Sequence, residues 1–93
     1  VQIVKIKSGL SEDQLIKTAT NRADNFRAMP GLIQKFYVQY SEPGYYGGIF
    51  IWDSKEDMMN YAKSEISSTM TEAYDIQGTP DVQFTDILFS LRE

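Results

Sequence analysis

The stretch from Pro30 to Ser54, PGLIQKFYVQYSEPGYYGGIFIWDS, constrains this chain more than any other. Two runs dense in β-branched and aromatic residues flank Ser41-Glu42-Pro43-Gly44, a pattern that predicts a long β-hairpin closed by a tight turn. The strands are expected over Leu32 to Tyr40 and Tyr45 to Trp52. With an even number of residues in the loop, Phe36 and Val38 share a face with Ile49 and Ile51. Ile33, Lys35, Tyr37 and Gln39 then lie opposite, beside Gly48, Phe50 and Trp52. The first set is wholly apolar and the second is aromatic with scattered polar groups. A face left to water would carry mostly charge, so the aromatic face containing Tyr37, Phe50 and Trp52, or its opposite, is expected to be covered by a second subunit.

The remaining elements are placed around this hairpin. Val1 to Lys7 alternates imperfectly, with Val4 and Ile6 on one side, and reads as the first strand. Ser11-Glu12-Asp13-Gln14 fits a capping box, and the helix it opens carries Leu15, Ile16, Ala19, Ala23 and Phe26 on one stripe. Pro30-Gly31 stops that helix at or just before Met29. Ser54 caps a second helix with Met58, Met59, Ala62 and Ile66 on its stripe and Tyr61 near the edge. Hydroxyl competition for backbone bonds should end or bend it around Ser67-Ser68-Thr69, with a short helical piece possible from Met70 to Ile76. Gly78-Thr79-Pro80 reads as punctuation, and Val82 to Leu91 as the last strand. The order β-α-β-β-α-β predicts a single α+β domain over residues 1–93. Its fold is ferredoxin-like, a four-stranded antiparallel sheet with two helices on one face.

Composition removes whole classes of chemistry. The chain has no cysteine and no histidine. Disulfides, thiol nucleophiles and imidazole bases are therefore excluded, as are the usual protein ligands of haem and transition metals, and no cofactor or metal is expected. A net charge of -4 without a basic cluster argues against nucleic acid, and no apolar run is long enough to span a bilayer. A cytoplasmic location is the expectation. The acidic residues form no calcium-binding spacing, and Gly47-Gly48 lies mid-strand with no Lys-Ser/Thr after it, so close backbone packing or a bulge explains the pair better than phosphate binding.

The element order, with Pro30-Gly31-Leu32 opening the second strand, Gly47-Gly48-Ile49 in the third and Trp52-Asp53-Ser54 entering the second helix, resembles the dimeric α+β barrel superfamily. Within it the chain looks most like the YdhR-type monooxygenase-like proteins, near the antibiotic-biosynthesis monooxygenases and the haem-degrading enzymes. The resemblance implies a homodimer paired through open sheet faces, with a pocket between sheet and helices in each subunit. It also matches Trp52 and Tyr61 to aromatics that border the pocket in relatives. Haem-degrading members carry an axial histidine where Thr69 to Thr71 stand here, so the resemblance does not extend to haem. A histidine that can sit near Glu65 in the YdhR-like branch is likewise absent.

Candidate site residues follow from both lines. Tyr61, Trp52, Arg22 and Asn21 are the candidates for chemistry: the rings stack on a planar guest and the Arg22 or Asn21 side chain stabilises an anion. Phe26, Tyr37, Met58 and Glu65 are the candidates for substrate contact, Glu65 also as a base if desolvated. Core and interface packing accounts for the aromatics and methionines as well, and a solvated helix face for Arg22, Asn21 and Glu65. Two function classes stay open. One is a cofactor-independent monooxygenase-like enzyme acting on a small aromatic or polyketide-like molecule. The other is a non-catalytic module binding a small hydrophobic molecule, or an isomerase or decarboxylase of the same superfamily.

Overall fold

A computed structural model describes residues 1–92. The elements are β1 (Gln2–Ser8), α1 (Glu12–Arg27), β2 (Leu32–Gln39), β3 (Tyr45–Trp52), α2 (Lys55–Ala62), α3 (Glu65–Ser68), α4 (Met70–Ala73) and β4 (Ile76–Phe84). All strand pairs are antiparallel and the sheet order is β2-β3-β1-β4, the ferredoxin-like arrangement expected from the element order. No helix among the described residues is long and apolar enough to cross a membrane.

Local chemistry explains the boundaries. The Ser11 side chain accepts from the Gln14 amide while the Gln14 side chain accepts from the Ser11 amide, completing the capping box. Ser54 accepts from the Asp57 amide at the start of α2. The second helical region breaks one turn earlier than expected. The Ser64 hydroxyl donates to the Tyr61 carbonyl (2.6 Å) and accepts from the Ser67 amide, so side-chain bonding ends α2 at Ala62 and restarts the chain as α3.

The last strand also departs from expectation, running Ile76–Phe84 rather than Val82 to Leu91. Its partner β1 is exhausted there: Val1 and Thr85 exchange the final bonds, and Ile87, Leu88, Phe89 and Leu91 stand exposed beyond them. Gly78-Thr79-Pro80 does not punctuate the chain but forms a bulge within β4. Lys5 faces Asp81 and Lys7 faces Gln77, so two residues of β1 span four of β4, and Gly78 supplies the positive φ of 74°.

The hairpin register pairs Phe36 with Ile49 and Tyr37 with Gly48, which divides the two faces as the alternation implies. Of the two faces, the helices cover the aromatic one. Val4, Ile6, Tyr46 and Phe50 form the core with Leu15, Ala19 and Phe26 of α1 and Tyr61 of α2, so the aromatic face lies under the helices. The face carrying Phe36, Val38, Ile49 and Ile51 is the uncovered one. Aromatic rings with polar edges suit the helix side because phenol and indole groups find partners there. On α1, Ile16 is 55% exposed and falls off the buried stripe. On α2, Tyr61 rather than Met59 or Ala62 is the buried residue.

Candidate functional site

Four aromatic side chains form a continuous ladder between helices and sheet. Phe26 and Phe50 lie 6.2 Å apart, Phe26 and Tyr61 5.9 Å, Trp52 and Tyr61 5.4 Å, and the Trp52 ring is stacked on Phe50 at 6.0 Å with an interplanar angle of 3°. Phe50, 1% exposed, is its centre. Phe26, Trp52 and Tyr61 are thus packed directly on one another in this ladder. The Trp52 indole N–H donates to Gln2 Oε1 (3.1 Å), and the Tyr61 hydroxyl donates to Met70 Sδ (3.2 Å).

Space lies on three sides of the ladder. A narrow apolar pocket of about 30 Å³ is lined by Lys35, Tyr37, Gly48, Phe50, Met70 and Tyr74, among others. A groove of about 350 Å³ runs between α1 and β2 past Ala23, Phe26, Arg27 and Ile33, and it shares Lys35 and Tyr37 with the narrow pocket. A cleft of about 440 Å³ opens at the far end beside Trp52, Met58, Phe84 and Ile87. Gly48 maintains the narrow pocket. A Cβ there would sit 3.1 Å from Phe50 Cε1 and 3.4 Å from Lys35 Cε, whereas a Cβ on Gly47 would collide with the Val4 carbonyl oxygen. The glycine pair therefore serves close backbone approach on one face and an open floor on the other.

Lys35 is the unusual group of this region. Its Nζ lies 3.4 Å from the Phe26 ring centre, 4.4 Å from Tyr37 and 4.5 Å from Phe50. The ion pairs among the described residues are Lys5–Glu42 and Arg27–Asp24, so no carboxylate compensates it. Burial, followed by repulsion from Arg22, pushes its amine down from 10.5 to about 7. The ring faces pull the other way, because each attracts an ammonium, but they supply no counter-charge, and the direction set by burial is downward.

Arg22 stands behind the pocket, its guanidinium 5.8 Å from the Tyr74 ring centre. It donates to the Ile66 carbonyl (2.8 Å) and Thr69 Oγ1 (3.2 Å), tying α1 to the end of α3. Its Nε and the Tyr74 hydroxyl are buried without a partner. Two orphaned polar groups in one region are costly unless a guest or water meets them. Burial pushes the Tyr61 and Tyr74 phenols up to about 12 and raises Tyr37, so all three hold their protons at neutral pH and act as donors.

The other expected residues fall outside this group. Asn21 and Glu65 are exposed, and Met58 lines the far cleft with Trp52. Sequence reasoning singled out neither Lys35 nor Tyr74. For Lys35 a signal existed, because alternation placed it on the Phe50 face, where a lone cation under helices is conspicuous. Tyr74 follows a broken run of short helices and has no periodicity to announce it. Among the described residues no three His, Cys, Asp or Glu side chains gather as metal ligands.

No protein-family model and no curated protein matches this chain. Solved structures do. A variant of SnoaB, a cofactor-independent oxygenase from Streptomyces nogalater, superposes with a TM-score of 0.77 at 13% identity, covering 99% of this chain and 95% of that one. The NE2512 protein of unknown function from Nitrosomonas europaea gives 0.75 at 14% identity, with 96% and 88% covered. A provisionally named antibiotic biosynthesis monooxygenase from the same organism gives 0.73 at 13%, with 95% and 97% covered. At such identities the likeness is one of fold, and nothing in it favours the YdhR-type branch. The chain has the ferredoxin-like α+β fold of the antibiotic biosynthesis monooxygenases.

Proposed function

We propose that this chain is a cofactor-independent, monooxygenase-like protein that holds a small aromatic or polyketide-like molecule as an anion beside Lys35. The observation that carries the reading is charge. In an acidic chain, Lys35 and Arg22 stand together among three protonated tyrosines, with no carboxylate of the described residues paired to either. Such a place is suited to a phenolate or enolate, whose negative charge both cations and the phenol donors stabilise.

Volume decides how a guest lies. A benzene-sized molecule occupies an apolar cavity of ~150 Å³, several times the narrow pocket, so the body of a planar substrate belongs in the groove between α1 and β2. Its reactive edge then meets Lys35 and Tyr37, which the two spaces share. The reaction this supports converts a ring methylene to a carbonyl. Dioxygen supplies the carbonyl oxygen, its other atom leaves as water, and all the electrons come from the substrate, so no external reductant enters. The protein contributes orientation, desolvation and counter-charge. SnoaB, described as a cofactor-independent oxygenase, supports this reading through the shared fold.

The same proposal includes a cytoplasmic homodimer joined through the uncovered sheet face. Phe36, 50% exposed, lies there beside Val38, Ile49 and Ile51, an apolar expanse that a lone domain leaves wet. The decisive experiment for function offers anthrone-type and phenolic compounds to the purified protein in an oxygen electrode. Uptake matched by carbonyl product supports an oxygenase. Tight binding without uptake moves the protein to the ligand-binding class. Light scattering decides assembly, and a monomer at tens of micromolar rejects the dimer.

A further inference from the structure

A chain without histidine lacks the usual general base, and the reaction proposed above needs one to make the substrate anion. The groups that line the narrow pocket and its groove, or that stand next to the lining as Arg22 and Tyr61 do, are few. Arg22 and Arg27 of α1 stay cationic, and Arg27 is bound to Asp24 at 2.7 Å on the exposed surface. Tyr37 of β2, Tyr46 of β3, Tyr61 of α2 and Tyr74 before β4 are phenols. Burial pushes Tyr37, Tyr61 and Tyr74 up, so they keep their protons and are poor proton acceptors. Glu65 is exposed on α3, and among the described residues no carboxylate lines either space. Met70 and the aliphatic lining cannot take a proton.

We propose that Lys35 is the base of this site: its neutral amine takes the proton that leaves the bound substrate and remains beside the anion as an ammonium. The inference rests on the reading of the pocket given above. The step balances without redox change, since the lone pair on Nζ bonds the proton and the electrons of the broken C–H or O–H bond stay on the substrate. Geometry supports it independently of titration behaviour. Nζ sits at the wall shared by pocket and groove, within 4.5 Å of three ring centres and outside every ion pair of the described residues. Its Cε passes over Gly48, where a Cβ would come within 3.4 Å of it. The ammonium formed is then stabilised by the ring faces and by the new anion, which reverses the burial that had disfavoured it. Burial, and after it Arg22 fixed to α3, disfavours protonation of Lys35 before a substrate arrives.

Two measurements test this. The first follows the Lys35 side-chain carbon next to the amine by NMR in protein labelled at lysine, assigned through its contacts with the Phe26 ring so that no variant is required. A titration midpoint well below the ordinary lysine value is expected, and one at that ordinary value overturns the proposal. The second uses 4-nitrophenol, which is coloured as a phenolate and nearly colourless as a phenol, at mildly acidic pH. The wild type should bind it as phenolate, and Lys35→Met should bind it about tenfold or more weakly and as the neutral phenol. Neutral phenol bound to the wild type overturns the base while leaving the pocket intact. Absence of any binding to the wild type overturns the pocket reading and this proposal with it.

Discussion

The two faces of one sheet treat a lysine in opposite ways. On the uncovered face, Lys5 of β1 holds Glu42 at 2.9 Å and lies 4.7 Å and 4.9 Å from the ring centres of Tyr40 and Tyr45. The hydrogen bond it donates to Glu42 raises its amine above the ordinary value. On the helix-covered face, Lys35 of β2 is also surrounded by rings but has Arg22 where a carboxylate would be, and burial drives its amine down to about 7. Aromatic contact is common to both, so it does not set the difference. The presence of a counter-charge and the depth of burial do. A lysine kept charged and paired serves solubility or an interface, whereas one kept unpaired under two helices costs stability and calls for a function.

The comparison can be broken most severely at the ring that separates the faces. Phe50→Ala should lower unfolding free energy by ~3–5 kcal/mol in urea melts, because it removes the centre of the ladder, while Phe36→Ala on the opposite face should cost the isolated domain less than ~1 kcal/mol and appear instead as weaker self-association. Equal losses would mean that the faces are not distinct.

The next largest effect is electrostatic. Because the folded state binds fewer protons at Lys35 than the unfolded chain, stability should rise as pH increases from about 7 towards 10.5. Above about 10 the sign reverses, since Tyr61 and Tyr74 hold protons up to about 12 in the fold and lose them near 10 when unfolded. Lys35→Met should abolish the rise and gain on the order of 2 kcal/mol at neutral pH. A pH profile unchanged by Lys35→Met would remove the asymmetry between the two lysines.

Smaller effects sharpen it. Tyr61→Phe removes a hydroxyl whose acceptor is the weak sulfur of Met70, so melting should change by less than ~1 kcal/mol. Affinity for an aromatic guest found by screening should fall by about the same amount or more if that hydroxyl orients the guest, and stay level if the residue only packs. Lys5→Met should leave both melting and its pH profile within experimental error, because its partner is exposed and such pairs contribute little. A stability loss as large as that of a core residue would show that the uncovered face is organised as tightly as the covered one.

Alternation and capping chemistry carried most of the fold. Both hairpin strands, the Ser11 box and the Ser54 cap stand within a residue of where their side chains imply, because each depends on neighbours in sequence. What depended on distant partners was harder to read. The end of β4 is decided by the length of β1, sixty and more residues away in sequence, and a run as apolar as Ile87 to Leu91 gives no sign that its partner has ended. The covering of the aromatic face was likewise not local. Phe50 and Ile49 are equally apolar, and only the ring partners Phe26 and Tyr61 on the helices choose between them. The site was legible in its rings and in Arg22, but Lys35 acquires its character from burial and from a charge on another element.

One absence of atoms shapes this site as much as any side chain. Gly48 faces the helices from the middle of β3 without the positive φ that would make glycine obligatory there. Its backbone would accept alanine, and only the space would be lost, against Phe50 and Lys35. Position 48 therefore acts as a depth stop. A graded series through Ala, Ser and Val would shorten the reach of a guest's reactive edge step by step while the sheet register stays fixed. Under the proposed reading, guest preference of this chain can accordingly drift by single changes at a mid-strand glycine, without altering a helix, a loop or the residue identity of any group that handles protons.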